Sequence, residues 1–526
     1  MRSVIIPAAG LATRMKPLSR GVSKAMIPIN GRPLITYVID NILENPDVEI
    51  IIVENEIGDV LDFVSRIYSD SQLTGKSRIH CVVQGEKLGP LHAIQEGFKS
   101  VSKDSRSITV WLGDTICLDK FDWNQNFLAV HSVPDPHRWC LVDEDGLLYD
   151  KPDSAVPTDK ALIGVYNFTD IDCFRESLEE GMKKPTHKGE HQISALLSSY
   201  MERKGPMVLI NTHDWYDCGE LNTYYESKAR LLTRTARSFN QIHVDTFYGT
   251  VTKSSQLLDK KKKIELEKYW FSSITEQQSL FCPRVLESEY GVLRMTLEPG
   301  VALNEVLVYD NLRTDVWHEI LRKVLNVHHK VFYTRDHLSI ENQSALCSIN
   351  YRRSLERKEE IFEALQVDQE QRNLVNKFLT NTISHLEKNP RWSKVIHGDS
   401  HLGNIIYDAH SGSIKFVDPR GSFGDQEGTA GDMRYDMAKL LQDFYCGYAM
   451  IMANRYWWDG EEVNIEWVPG TEELCRFLET QLQELDYDVE LLKKLSVVLL
   501  ITAIPFHQDN QERQKAMFSR GIQLIS

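Results

Sequence analysis

Four short apolar runs, "SVIIP", "VEIIIVE", "IHCVV" and "SITVW", recur within the first 111 residues. Between them lie "LITYVIDNILEN", "IGDVLDFVSRIYS" and "GPLHAIQEGFKSV", whose apolar residues return at helical spacing. Unbroken apolar runs of this length are strands buried on both faces, and helix-spaced segments between them are crossovers. This βαβ rhythm restricts the front of the chain to an α/β, Rossmann-like domain. It predicts a mostly parallel sheet with helices on both faces and ligands at the carboxyl ends of the strands.

The rhythm ends near residue 232, and "YYESKARLLTRTARSFN" at 224–240 reads as a closing helix and junction. The texture then changes. "QIHVDTFYGTVTKSS" suggests a β-hairpin, "KKIELEKYWFSSI" a helix, and the pattern beyond about 310 is largely helical. A chain of 526 residues is too long for one ordinary core. The expected domains are 1–235 and 236–526, the second with a small lobe at about 236–300 and a helical lobe at about 301–526. A bilobal α+β layout of this kind is that of protein-kinase-like folds.

Composition removes several classes. A formal net charge of −15 argues against nucleic acid as a partner, and "DKKKKIELEK" at 259–268 reads as the solvated face of a helix start. No apolar run reaches eighteen residues and no signal peptide opens the chain, so the expectation is a cytoplasmic enzyme without membrane insertion. Nine scattered cysteines include no C-x-x-C pair, which indicates reduced thiols and no zinc site. Nothing here excludes a homo-oligomer.

Two stretches carry phosphate chemistry. In "AAGLATRMKP", Gly10 follows a strand, and small residues there let backbone N–H groups approach a triphosphate. Arg14 and Lys24 add positive charge for phosphates and for a pyrophosphate leaving group. Far downstream, "HGDSHLGNIIYD" and "IKFVDPRG" place Asp399, Asn404 five residues later, and Asp418 in a strand-like run. That spacing suits a catalytic base and two metal ligands.

The longer front pattern, Gly10 with Ala12, Thr13 and Arg14, then "SKAMIPINGRPLI", resembles the sugar-phosphate nucleotidyltransferase family over roughly residues 1–232. The resemblance implies that Gln84 and Gly89 in "VVQGEKLGPLHAI" read the nucleobase. It implies that Asp114 in "WLGDTI" and Asp217 in "WYDCG" hold Mg²⁺, and that Lys151 in "LYDKP", with Glu190, meets the sugar phosphate. Ala12 stands where the family usually has a second glycine, Asp150 replaces its Glu, and Pro90 a Thr or Ser, which leaves base and sugar choice open.

The back pattern resembles the aminoglycoside phosphotransferase and choline kinase group over about 240–526, with its specific motifs at 397–439. The resemblance implies that Asp399 orients an acceptor hydroxyl and that Asn404 and Asp418 hold Mg²⁺ on ATP. Lys253 in "GTVTKSS" is the candidate ATP-phosphate lysine, with Glu267 as its partner and Glu265 as a rival. "LRMTLEPGVAL" reads as a hinge under adenine, and Asp436 in "RYDMAKLL" as a support for the loop. His507, Asp509 and Arg513 read as helix-end residues rather than an acceptor pocket.

The leading expectation is a bifunctional enzyme: ATP phosphorylates a sugar, and an NTP such as CTP or UTP then yields an NDP-sugar for cell-surface polysaccharide. One alternative is the same chemistry on choline, ethanolamine or a polyol, giving a CDP-alcohol. The other is that one domain is inactive and regulatory.

Overall fold

The computed structural model describes all residues except 11–14, 16–21, 69–76, 87, 187–188, 236–240, 246, 311, 335–339 and 424–425. The chain divides into two compact units, Met1–Lys228 and Ala229–Ser526. The division falls inside the helix Leu221–Thr235. The first turns of that helix are tied to the first unit: Ser227 Oγ donates to Asp217 O at 2.8 Å, and Asn30 Nδ2 donates to Lys228 O at 3.2 Å.

In the first unit the strand Arg2–Pro7 buries Val4, Ile5 and Ile6 completely. It runs parallel to Val48–Glu54 and to Ile108–Trp111, and Val48–Glu54 runs parallel to Arg78–Val83. Arg2–Pro7, Val48–Glu54 and Ile108–Trp111 are buried on both faces, which explains why none of them alternates; Arg78–Val83 stands at the end of the sheet and, against the expectation, none of its residues is buried. The helix Pro90–Phe98 lies so close to this sheet that a Cβ on Gly97 would stand 2.7 Å from Ile5 Cγ2. Glycine is what allows that approach.

The sheet is mixed, which corrects the expected mostly parallel arrangement. Lys160–Phe168 runs antiparallel to Ile108–Trp111, Phe127–Ser132 and Cys140–Val142, and Leu148–Asp150 antiparallel to Cys140–Val142. Val208–Asn211 joins Phe127–Ser132 in parallel. A hydrophobic period identifies a strand but carries no information on its direction. The parallel half is the half that reads cleanly as βαβ. From it, Gly10, Gln84 and Asp114 all follow the carboxyl ends of strands.

The second unit opens with an antiparallel sheet of four strands in the order Gln241–Asp245, Thr250–Ser254, Val292–Thr296, Val285–Glu289. The helix Leu258–Ser273 packs on it through Ile264 against Leu293 and Met295. The basic run that starts this helix is solvated only in part. Lys262 and Lys263 are exposed, Lys260 and Lys261 are half-buried, and Glu267 one turn on is buried. The rest is largely helical and gathers around Met433–Tyr445, in which every residue from Arg434 to Phe444 is buried. No helix among the described residues is long and apolar enough to cross a membrane. All nine cysteines are free thiols.

Candidate active sites in the two units

In the first unit, Lys24, Asp114, Lys151 and Asp217 line one cavity of about 270 Å³. Local structure puts each of them there. Lys24 N donates to Gly10 O at 3.0 Å, which folds the segment after the glycine loop back onto the strand end. Asp217 ends the short strand Trp215–Asp217, which pairs antiparallel with Thr115–Cys117, so Asp217 sits opposite Thr115 and next to Asp114. Lys151 takes a left-handed backbone with φ 47° and donates its N–H to Trp139 O at 2.9 Å.

Lys24 Nζ forms an ion pair with Asp114. Asp217 Oδ1 accepts from Gly219 N at 2.8 Å, while Oδ2 is buried and takes no hydrogen bond; the nearest cation, Arg138, stays 3.9 Å away. Burial, with the Asp114 charge adding to it, raises the Asp217 pKa. An unsatisfied carboxylate oxygen beside a second carboxylate is a donor set for a hard cation, so Asp114 and Asp217 fit Mg²⁺. Among the described residues no three metal-ligating side chains gather at one point. Mg²⁺ commonly takes one or two carboxylates and completes its shell with substrate phosphates and water.

Gln84, Gly89 and Glu190 form a neighbouring group. Gln84 Nε2 donates to Gly89 O at 3.3 Å and lies 3.0 Å from His92 Nδ1. Gly89, at φ 101°, leaves no room for a side chain: a Cβ would stand 2.8 Å from Glu190 Cβ. Pro90, the next residue, lines the cavity. Ala12, Thr13 and Arg14 lie outside the described residues. Sequence reasoning missed Arg138, whose guanidinium pairs with Glu220 at 3.1 Å at the cavity wall.

In the second unit, Lys253 Nζ lies 2.6 Å from Glu267 Oε2 and 2.8 Å from Asp418 Oδ1. The rival Glu265 turns elsewhere, to Lys268 at 2.7 Å and to Gly291 N at 2.7 Å. Asp418 sits in a left-handed conformation, φ 55°, at the end of "IKFVD". Three residues on, a Cβ at Gly421 would fall 2.0 Å from Leu266 O. Glycine there lets the Asp418 segment pass directly against the helix that carries Glu267.

The loop His397–Asn404 is bonded to the Asp418 segment at both ends: Val417 N donates to Asn404 O at 3.0 Å, and Arg420 N to His397 O at 2.8 Å. Asn404 Nδ2 donates to Asp399 O at 2.9 Å, which fixes the five-residue spacing into one turn. Asp436 holds the loop from beneath by accepting from His397 N at 2.9 Å and Gly398 N at 2.6 Å. Asp443 accepts from Leu402 N at 2.6 Å. Lys439 Nζ stands 3.0 Å from Asp399 Oδ1. Asp443 and Lys439 were missed in the sequence, although Asp436, Lys439 and Asp443 recur at i, i+3 and i+7, one face of a helix.

Burial opposes ionisation of Asp399, but Lys439, His401 and Arg420 outweigh it and hold its carboxyl well below the usual range. Lys253 lowers Asp418. The amide of Asn404 and the carboxylate of Asp418 are hard oxygen donors and fit Mg²⁺ as well. A nucleotide phosphate chain can be held by such a lysine with two oxygen ligands, and a hydroxyl can be oriented by Asp399.

Burial pushes Glu267, Asp436 and Asp443 each up to about 7. Such groups bind a proton more readily folded than unfolded. The stability they contribute is complete below the ordinary Asp value of 3.8 and is lost as pH rises through about 7. The melting temperature should therefore fall between about pH 5 and pH 7. Asp443→Asn, whose amide oxygen still accepts from Leu402 N–H, should flatten that fall. A wild-type melting temperature constant over this range would refute burial of these carboxyls as a source of pH sensitivity.

Residues 3–234 match the family model described as nucleotidyl transferase. They form a nucleotidyltransferase domain whose homologues act in sugar-phosphate nucleotidyl transfer. Among its relatives is a UTP–glucose-1-phosphate uridylyltransferase of Bacillus subtilis, 26% identical over 42% of this chain and 87% of the relative. Another is a low-salt glycan biosynthesis nucleotidyltransferase of Haloferax volcanii, 26% identical over 38% of this chain and 57% of the relative. A solved UDP-glucose pyrophosphorylase complexed with UDP-glucose aligns over 44% of this chain and 99% of its own, with 23% identity and a TM-score of 0.38.

Proposed function

We propose that this chain is a bifunctional enzyme that phosphorylates a sugar with ATP and then converts the sugar phosphate to an NDP-sugar. Phosphotransfer belongs to residues 236–526 and nucleotidyl transfer to residues 1–235, and the product serves cell-surface glycan synthesis. The observation that carries the reading is the convergence of Lys253, Glu267 and Asp418 in a chain that also holds Lys24, Asp114, Lys151 and Asp217 around one cavity. Two phosphate-handling sites in one polypeptide make sense if the phosphomonoester made by one is consumed by the other. Fusion keeps the two activities in equal amounts.

In the first reaction, Lys253 holds the ATP phosphates and Glu267 keeps its ammonium in position. Asp399 orients the acceptor hydroxyl toward the γ-phosphorus and takes its proton late, since so acidic a carboxyl is a weak base. Asn404 and Asp418 would hold Mg²⁺, which neutralises phosphate charge when bound.

In the second reaction, an oxygen of the phosphomonoester attacks the α-phosphorus of an NTP and pyrophosphate leaves. Lys151 and Glu190 orient the sugar phosphate. Gln84 and Gly89 contact the base. Lys24, with Arg14, offsets the charge that builds on pyrophosphate. Asp114 and Asp217 would hold the Mg²⁺ that draws the two phosphates together.

The test is a matrix of ATP, four NTPs and a panel of sugars and amino alcohols, read separately by ADP and pyrophosphate release. Lys253→Met should raise KM for ATP by about 10–100-fold, the worth of one to two charge-assisted hydrogen bonds, without changing pyrophosphate release from a supplied sugar phosphate. Unchanged ATP kinetics in that variant would remove Lys253 from the nucleotide.

A further inference from the structure

The cavity of the first unit is lined by the cations Lys24, Arg138 and Lys151 and by the carboxylates Asp114, Asp150, Asp217 and Glu220. Lys24 is committed to Asp114. Asp150 accepts from Ser194 Oγ at 3.4 Å. Arg138 stands against the other two carboxylates: its Nη2 lies 3.1 Å from Glu220 Oε2 and 3.9 Å from Asp217 Oδ2. Its guanidinium carbon is 5.5 Å from the centre of the Trp139 ring, which steadies it from a further side. With 36% of its side chain exposed, Arg138 is held at the cavity wall and stays open to a ligand.

Arg138 and Lys151 are fastened to each other through the backbone. Cys140 pairs with Asp150 across the antiparallel ladder, and Lys151 donates its N–H to Trp139 O at 2.9 Å. Both cations therefore flank the same end of one ladder. Arg138 is the one that also reaches Asp217, whose Oδ2 takes no hydrogen bond. A phosphate lying between Lys151 and the Asp114–Asp217 pair has to pass its guanidinium. Carboxylates outnumber cations among these lining residues, so a phosphate dianion gains a place only where positive charge is concentrated. A guanidinium is planar and carries several donors, so pairing with Glu220 leaves donors for a second anion, in a fork that matches phosphate oxygens.

We propose that Arg138 is a substrate-binding residue of the nucleotidyl transfer: with Lys151 it holds the phosphate of the acceptor, and Glu220 keeps it aimed. This rests on the reading of the first unit as transferring a nucleotidyl group to a phosphomonoester, and it adds the residue that orients the attacking group. An oxygen of the held phosphate forms a bond to the α-phosphorus of the NTP. The bond from that phosphorus to the α,β-bridging oxygen breaks, and pyrophosphate departs with the electron pair. The attacking oxygen is already ionised, so no proton moves. Arg138 touches the acceptor phosphate before and during attack, so it contributes to binding more than to the chemical step.

The test uses the full chain with Mg²⁺, the four NTPs and three acceptors, glucose 1-phosphate, mannose 1-phosphate and phosphocholine, read by pyrophosphate release. For the pair that turns over fastest, Arg138→Met should raise KM for the acceptor by about 10–100-fold, the worth of one to two charge-assisted hydrogen bonds. KM for the NTP and kcat should each stay within about threefold of wild type. Arg138→Lys, which keeps the charge and loses the fork, should recover part of the loss. Calorimetric titration of the same acceptor into the chain with Mg²⁺ should show the Met variant weakened by the same factor, without turnover.

An acceptor KM within about twofold of wild type in a cooperatively melting Met variant overturns the proposal. So does an equal rise in KM for the NTP, which would assign Arg138 to the triphosphate, or a fall in kcat at unchanged KM, which would make it a brace for Asp217. If the Met variant does not melt cooperatively, the Lys variant decides by the same two KM values. If no acceptor of the panel releases pyrophosphate or binds in the wild-type chain, the reading of this cavity as a phosphomonoester site falls and takes the proposal with it.

Discussion

Asp399→Ala should lower ATP-dependent phosphotransfer by about 10³-fold, within the range assigned to a positioned general base, and leave nucleotidyl transfer from a supplied phosphomonoester unchanged. The loop that carries Asp399 is held by its own turn, by the Asp418 segment and by Asp436, so the carboxylate can be removed without removing its supports. Truncation does leave Lys439 without the carboxylate 3.0 Å away. Asp399→Asn covers that case, since its amide oxygen can still accept from Lys439. Both variants should melt cooperatively and release pyrophosphate at the wild-type rate. Phosphotransfer within about tenfold of wild type in the folded Asn variant would be too small a loss for a base at this position.

Asp217→Asn should reduce pyrophosphate release by roughly 10³-fold at limiting Mg²⁺, the several kcal/mol that a correctly held cation supplies, and spare ADP release. The change is nearly isosteric, and the amide oxygen can keep the Gly219 N–H bond. What it removes is the negative charge on the side whose Oδ2 is buried and takes no hydrogen bond. Raising Mg²⁺ should recover part of the loss, because Asp114 remains. Full activity at limiting Mg²⁺ would take Asp217 out of the metal site and leave its orphan oxygen as a cavity-wall feature.

The placement of both sets of candidate site residues was readable where the geometry is local. Asp399 and Asn404 stand five residues apart because one turn, closed by Asn404 Nδ2 on Asp399 O, brings them to a single edge. Gly10, Gln84 and Asp114 were readable for a related reason. Each follows a fully or largely apolar run, and in a parallel βαβ array the ends of such runs share one edge of the sheet.

Other features depend on which side of an element is buried, and that is not written locally. Glu265 and Glu267 are two residues apart on one helix, so they face nearly opposite ways. Glu267 meets Lys253 because Ile264 and Trp270 are drawn into the interior, which sets the rotation of the whole helix. The antiparallel half of the first sheet was misread because strand direction follows from how connections pack, not from the period of apolar residues.

The sequence alone determined the two-part organisation of this reading, the α/β character of the front and the two loops that present Gly10 and Asp399, since these rest on composition, period and short turns. Tertiary structure decided the rest: the Lys253–Glu267–Asp418 convergence across three separate segments, the orphan oxygen of Asp217, and the burial of Lys439 and Asp443. On a helix read by itself, Lys439 and Asp443 look like ordinary surface charges. They lie inside because Met433–Tyr445 is enclosed by its neighbours, and a charge keeps a place there only where a partner such as Asp399 or the Leu402 N–H offsets its lost hydration.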